Sequence, residues 1–157
     1  MKKLILVLWL FIGVASFSSV SFKDIQLGMS KEAVIEKVGS DNYQPNNFGI
    51  SYNDIEINGI KMKKVQFLFL FNNLYSASFD MKSGNMDKVF NLLDVDFGKA
   101  LEMKSNKEMK LGIYNHIYSK KVFLLMAEDK KTKEGILNIL YEKELNDVIK
   151  KLKIFRN

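Results

Sequence analysis

Two alternating apolar runs flank Asn58-Gly59, and Asn-Gly is the preferred dipeptide of a two-residue type I′ hairpin turn. With Ile57 opposite Ile60, the ladder continues as Ile55 with Met62, Tyr52 with Val65, Ile50 with Phe67 and Phe48 with Phe69. Apolar residues meet at every step, which is how side-chain pairs stabilise a sheet. Strand alternation places Phe48, Ile50, Tyr52, Val65, Phe67 and Phe69 on one face. It places Ile55, Ile57, Ile60 and Met62 on the other, with the change near Asn53-Asp54 and Lys63-Lys64. The base of the hairpin therefore reads as core. Its tip reads as a protrusion with an apolar patch, so Ile55, Ile57, Ile60 and Met62 are candidate partner-binding residues. The ordinary alternative is that a loop or the other half of the chain covers the tip.

A third strand, Leu74 to Met81, follows Asn72-Asn73, with Tyr75, Ala77, Phe79 and Met81 inward and Ser76, Ser78 and Asp80 outward. Pairing Phe69 with Tyr75, Phe67 with Ala77 and Val65 with Phe79 requires a three-residue loop or a bulge at Phe71-Asn72-Asn73. Before the hairpin, Ser30 is placed to cap a two-turn helix that buries Val34 and Val38. Glu32 lies in its first turn and Gly39 at its end, and Met29 has staple spacing to Val34. A helix so short needs a larger element to pack on.

The second half repeats the order. Asn85 is a cap candidate for a helix through Val89, Phe90, Leu92, Leu93 and Phe97, ending by Gly98. Lys104 to Lys110 reads as a loop or a frayed helix end. Ile113–Tyr118, Val122–Ala127 and Ile136–Tyr141 read as strands, with turns at Lys120-Lys121 and Asp129–Gly135. Leu145, Val148, Ile149 and Leu152 have the spacing of a closing amphipathic helix. The order α-β-β-β-α-β-β-β-α predicts an α+β two-layer sandwich, an antiparallel meander with helices on one face. One six-stranded sheet and two three-stranded sheets both remain open.

The first residues add a compartment. Lys2-Lys3, the apolar run Leu4–Val14 and Ala15-Ser16-Phe17-Ser18-Ser19 have the layout of a secretory signal peptide. As a helix the run spans roughly 17 Å at 1.5 Å per residue, against a hydrocarbon core of about 30 Å. We therefore expect a signal peptide over residues 1–18, with Ser16 and Ser18 as the small cleavage-site residues. The mature chain, 19–157, is expected to be one domain of two pseudo-repeats, about 24–82 and 83–157. An uncleaved anchor is the lesser alternative. The expected location is periplasmic or secreted and not lipidated, since the chain has no Cys.

Composition narrows the chemistry. With 157 residues, 47% apolar and 27% charged, no Cys and one Pro, this is the composition of a folded globular protein. The absence of Cys excludes thiol nucleophiles and Cys-ligated metals. The formal charge is +6. Residues 19–82 carry seven basic and seven acidic side chains and 83–157 carry fifteen and eleven, so the mature excess lies in the second half.

The segment Leu27-Gly28-Met29-Ser30-Lys31-Glu32-Ala33-Val34, ending at Gly39 and followed by a meander, resembles small exported proteins of the BamE/SmpA/OmlA type. It is also similar to the tandem repeats of the β-lactamase-inhibitor-protein fold. The resemblance covers roughly residues 27–81 and implies a protein that binds other proteins in envelope assembly or inhibition and performs no chemistry. Two departures are visible. The assembly-factor members are usually lipoproteins, and they often place Pro soon after the second Gly, where this chain has Ser40-Asp41.

No catalytic, cofactor or metal set assembles in the sequence. His116, in a strand, lacks an orienting carboxylate and a nucleophile in a recognisable context. Asp94-Val95-Asp96 lacks the further ligands of a calcium loop. Asp54 and Glu56 are placed to pair with Lys61, Lys63 or Lys64. Gly28, Gly39, Gly49 and Gly59 read as caps and turns rather than a phosphate cradle. Lys120, Lys121, Lys130, Lys131 and Lys133 form a candidate basic surface for anionic envelope polymers or lipid, although interspersed acids favour a solvated face. One Arg in the whole chain argues against nucleic acid. The reading is thus a non-enzymatic exported module that binds an envelope or secreted protein without a cofactor. The alternative is a surface-associated protein that binds anionic envelope polymers or lipid through its basic half.

Overall fold

The structure is a computed structural model, and it describes residues 20–84 and 86–151. The expected leader, the Asn85 cap and Leu152 of the closing helix lie outside the described residues. The protein is an α+β fold with one nine-stranded antiparallel sheet and three α-helices among the described residues.

Helix α1 (Lys31–Val38) forms where capping chemistry places it. The Ser30 hydroxyl accepts from the Ala33 amide at 3.2 Å, and Gly39, at φ 121°, donates its amide to Ile35 O. Two backbone hydrogen bonds, Gly28 N to Leu74 O and Leu74 N to Met29 O, both 2.7 Å, tie the helix entry to the sheet.

Five strands follow: β1 (Tyr43–Asn46), β2 (Gly49–Asn53), β3 (Glu56–Ile57), β4 (Ile60–Leu70) and β5 (Asn73–Met81). The expected register holds. Ile57 pairs with Ile60, Tyr52 with Val65 and Ile50 with Phe67, and the Met62 amide bonds Ile55 O while the Phe69 amide bonds Phe48 O. The second half contributes α2 (Met86–Phe97), β6 (Glu102–Ser105), β7 (Met109–His116), β8 (Ser119–Asp129), β9 (Gly135–Tyr141) and α3 (Glu142–Lys151). Strand order is β1-β2-β4-β5-β9-β8-β7-β6, with β3 beside β4. The β5–β9 pairing, Ala77 to Ile139 and Phe79 to Leu137, joins the halves into a single sheet.

Several expectations are corrected. The order gains edge strands β1 and β6. The stretch from Lys104 to Lys110, expected as a loop or helix end, is instead the β6–β7 hairpin, with Asn106 Oδ1 accepting the Glu108 and Met109 amides in the turn. Lys120 and Lys121 lie within β8, and the β7–β8 turn is at Ile117-Tyr118. Helices occupy both faces. Val34 of α1 and Met86, Val89, Phe90 and Leu93 of α2 join the main core with Leu124, Met126, Leu137 and Ile139. Leu145 of α3 packs with Ile113 and Leu125, which alternate to the opposite face. Leu125 supplies an apolar position on that second face, so the closing helix has a surface of its own to bury.

Two register shifts decide which side chains face the core. Between Met62 and Lys64 an extra residue, Lys63, enters β4 opposite β5, and on the other side of β4, in the break between β2 and β3, Asp54 takes φ 51°. The expected change of apolar face is absorbed there by the backbone, and Ile57, Ile60 and Met62 turn back into the same core as Val65 and Phe67. The segment before α1 completes the cover. Val20 O accepts from Asn58 N at 3.0 Å, and Phe22 and Ile25 are fully buried, Phe22 edge-on to Phe79 at 5.3 Å.

The second shift, between Leu68 and Phe69, pairs Phe69 with Leu74 and leaves Tyr75 as the extra residue. Leu74 therefore enters the core and Tyr75 turns outward, the reverse of the expected assignment. Gly49 is also corrected. It lies inside β2, where a Cβ would collide with the Phe67 carbonyl oxygen, so close backbone approach rather than a turn requires glycine.

Candidate functional site

The residues expected to bind a partner are not available to one. Ile57, Ile60 and Met62 are buried and Ile55 is half-buried against the same core. This corrects the protruding-tip reading: the strand irregularities fold the tip inward and the 20–29 segment closes over it.

The expected basic surface is divided. Lys120 and Lys121 lie at the start of β8 and Lys130, Lys131 and Lys133 beyond its end, roughly 30 Å apart along eleven residues of strand. Lys130 Nζ bonds Asn106 O at 2.5 Å and Lys133 pairs with Glu128 at 3.4 Å. In the loop between β8 and β9, the Thr132 and Lys131 amides hold the Asp129 carboxyl below its ordinary value. This is a self-contained turn.

The chemistry-bearing groups have structural partners. His116 is buried, its Nε2 3.2 Å from Ile25 O and its Nδ1 3.3 Å from the Tyr118 amide. An amide donor at Nδ1 fixes the tautomer with hydrogen on Nε2, which donates to Ile25 O. Asp96 accepts from Ser21 Oγ at 3.3 Å and pairs with Lys23 at 3.6 Å, tying α2 to the 20–29 segment. Burial and neighbouring Asp94 push the Tyr114 hydroxyl up. Asp54 pairs with Lys82 at 2.6 Å rather than with the lysines of its own hairpin, Lys63 reaches Glu134, and Glu56 stands opposite Lys61. Among the described residues no group of three or more His, Asp or Glu converges as a metal site, and no helix is long and apolar enough to cross a membrane.

What the structure does assemble lies at the other end of the sheet from the Asn58-Gly59 turn. There the β1–β2 and β4–β5 turns bring Phe48, Leu70 and Phe71 to the surface, 76%, 56% and 90% exposed, with Leu68 and Tyr75 beside them. Leu70, Phe71, Asn73, Leu74, Tyr75 and Tyr141 line an open hollow of about 230 Å³. That volume suits a side chain or two, below the range of typical cofactor sites. Tyr75 and Tyr141 form one wall, ring centroids 6.0 Å apart.

The bulge that turns Tyr75 outward also lets its hydroxyl donate to Glu144 Oε1 on α3, which pushes the Tyr75 hydroxyl pKa up. On the other side Asn72 donates to Glu32 at 3.2 Å, and the Glu32 carboxyl is held below its ordinary value by its own backbone amide and by Asn72. The lining of the hollow is mainly apolar and includes neither carboxylate; Glu144 is tied to it through the Tyr75 hydroxyl and Glu32 to the adjoining turn through Asn72.

The β4–β5 turn itself is unusual. Phe71 and Asn72 have φ 49° and 64°, the left-handed pair of a type I′ turn. Asn suits this geometry, but a bulky Phe does not, by about 1–2 kcal/mol. Sequence reasoning passed over the site because Phe71-Asn72-Asn73 reads as an ordinary loop or bulge between two strands. The available signal was the missing left-handed residue before Asn72.

Comparison with family models, with curated proteins and with solved structures finds no match for this chain.

Proposed function

We propose that this chain is a non-enzymatic exported module of the bacterial cell envelope that binds a protein partner through the apolar end of its sheet. The observation that carries the reading is Phe71. It is 90% exposed and held in a backbone conformation that disfavours it, so neither packing nor turn chemistry accounts for a Phe there. With Leu70 and Tyr75 it borders one open hollow, and exposed Phe48 and Leu68 border another at the same end of the sheet; exposed apolar groups gathered in this way mark interaction sites.

The resemblance of residues 27–39 to exported binding proteins points the same way. In this reading α1 with β1–β5 and α2 with β6–β9 are two repeats of a two-layer α/β unit, and α3 is an addition on the second face. The leader over residues 1–18 supplies export. The test is a photo-crosslinking residue placed at position 71 or 48 in the full chain in cells, with position 131 as control. A single partner captured from 71 and 48 but not from 131 supports the reading. Capture that is equal at all three positions, or none at 71 and 48, removes it.

A further inference from the structure

A second hollow lies over β1, β2 and β4, on the face of the sheet turned away from the main core. It is open and about 480 Å³ in volume, within the roughly 300–1,000 Å³ of small-molecule sites. Its lining is mostly amide, hydroxyl and ammonium, from Asn46, Asn47, Ser51, Lys64 and Gln66, with Phe48 beside them. Ser51 is only 6% exposed, yet its hydroxyl has no hydrogen-bond partner among the described residues. A polar group so buried is nearly always paired. Gln66, half-buried and opposite Ser51 in the register, also has no side-chain partner there. Lys64 carries the only charge in the lining. Its neighbours Lys63 and Lys82 pair with Glu134 and Asp54, whereas Asp80, the register partner of Lys64 on β5, lies outside ion-pair distance. Phe48 is exposed but pinned, its amide donating to Asn46 Oδ1 at 3.0 Å and its carbonyl accepting from the Phe69 amide at 2.9 Å.

We propose that this hollow binds an acidic sugar, a pyranose unit bearing one carboxylate, such as a uronic acid residue of a polysaccharide. Asn47 and Gln66 each offer a carbonyl acceptor and amide donors, and Ser51 a hydroxyl that does both, which matches the paired donor and acceptor character of sugar hydroxyls. The Phe48 ring, negative on its face, suits the C–H face of a pyranose. Lys64, with no carboxylate beside it in the lining, selects an anion. One ammonium balances one carboxylate, whereas a phosphate dianion would lack the further donors that Arg or a helix N-terminus supplies. The sheet itself shows what a protein cover requires on this face. Under α3 one cross-strand row presents Ile113 and Leu125 to Leu145, and the same row continues as Asn138, Ser78, Gln66 and Ser51. The site does not depend on the binding-module reading.

The test is an amide-resolved NMR titration of the chain with tetragalacturonate, with maltotetraose as the neutral comparison and sodium acetate as the bare carboxylate. Saturable shifts centred on residues 46–51 and 64–68 are expected with tetragalacturonate alone. Lys64→Gln is expected to weaken binding by about tenfold, the loss of one hydrogen bond to a charged group. Ser51→Ala, which keeps the strand packing, is expected to weaken it by about fivefold. Equal binding of maltotetraose, the same shifts with acetate, shifts spread over lysines such as Lys120 and Lys131, unchanged affinity in both variants, or no saturable shift would each overturn the proposal. None of these outcomes bears on capture from position 71, so the two readings fail separately.

Discussion

At the scale of single residues, Phe71 and His116 set opposite problems. Phe71 contributes little to stability where it sits: its ring is in water and its backbone is left-handed. Replacing it with Asn, which tolerates that conformation, is expected to raise stability by about 1 kcal/mol, measurable as a higher urea midpoint with unchanged slope. A decrease would mean the ring supports the fold. His116 is the reverse case, a polar group whose two nitrogens are both used inside the core. Burial lowers its pKa below the ordinary 6.5, against a smaller opposing effect of Ile25 O. The unfolded chain therefore binds a proton more readily than the folded one between the lowered value and 6.5. Stability is full above pH 6.5 and falls as the pH drops through that window. Protonation would also place a hydrogen on Nδ1, against the Tyr118 amide. The expected outcome is a loss of stability between pH 7 and 5 that flattens in His116→Gln, followed by denaturant titration at each pH. An identical slope in the variant would assign the pH dependence to other groups.

At the scale of elements, the tip of the β3–β4 hairpin provides the sharpest test. Ile60 is fully buried in the main core, so Ile60→Ala is expected to cost about 2–5 kcal/mol. Retention of wild-type stability would restore the tip to the surface. Pairing in this hairpin was legible from residues 48–69, because Asn58-Gly59 fixes the register and each later pair follows by counting. Facing was not, because alternation assumes an unbroken strand and the extra residues Lys63 and Tyr75 each reverse it. Strands β1 and β6 escaped for another reason. Tyr43–Asn46 is exposed throughout and Glu102–Ser105 nearly so, and an edge strand that buries nothing leaves no apolar period to read. The β7–β8 turn was hidden by its own residues: Ile117 and Tyr118 look like strand, while polar Lys120 and Lys121 look like turn. Of the candidate site, the pairing of Phe48 opposite Phe69 was legible, but its facing was not: Phe48 was expected on the core face and is 76% exposed. The hollow depends on the bulge at Tyr75 and on α3 lying across the second face, neither of which has a local signature.

At the scale of the molecule, the two halves share what each would need to fold alone. Strand β5 takes β9 as its second neighbour, so a chain ending near residue 84 would expose β5 as a long edge. The core crosses the same boundary, with Phe22, Phe79, Leu93, Leu124, Met126 and Leu137 in one cluster. The 20–29 segment adds a second link, reaching from Val20 at the Asn58 turn past Ile25, which receives the His116 hydrogen bond. Tandem repeats that meet only at an interface unfold in steps, whereas repeats that share a sheet and a core cannot separate without breaking both. Urea unfolding of the chain is therefore expected to give one transition, with backbone circular dichroism and near-ultraviolet tyrosine signals coincident. A fragment of residues 20–84 is expected to lack the near-ultraviolet signal altogether. Two resolved transitions, or a folded fragment, would show that each repeat holds a core of its own and that the β5–β9 seam is an interface between finished domains.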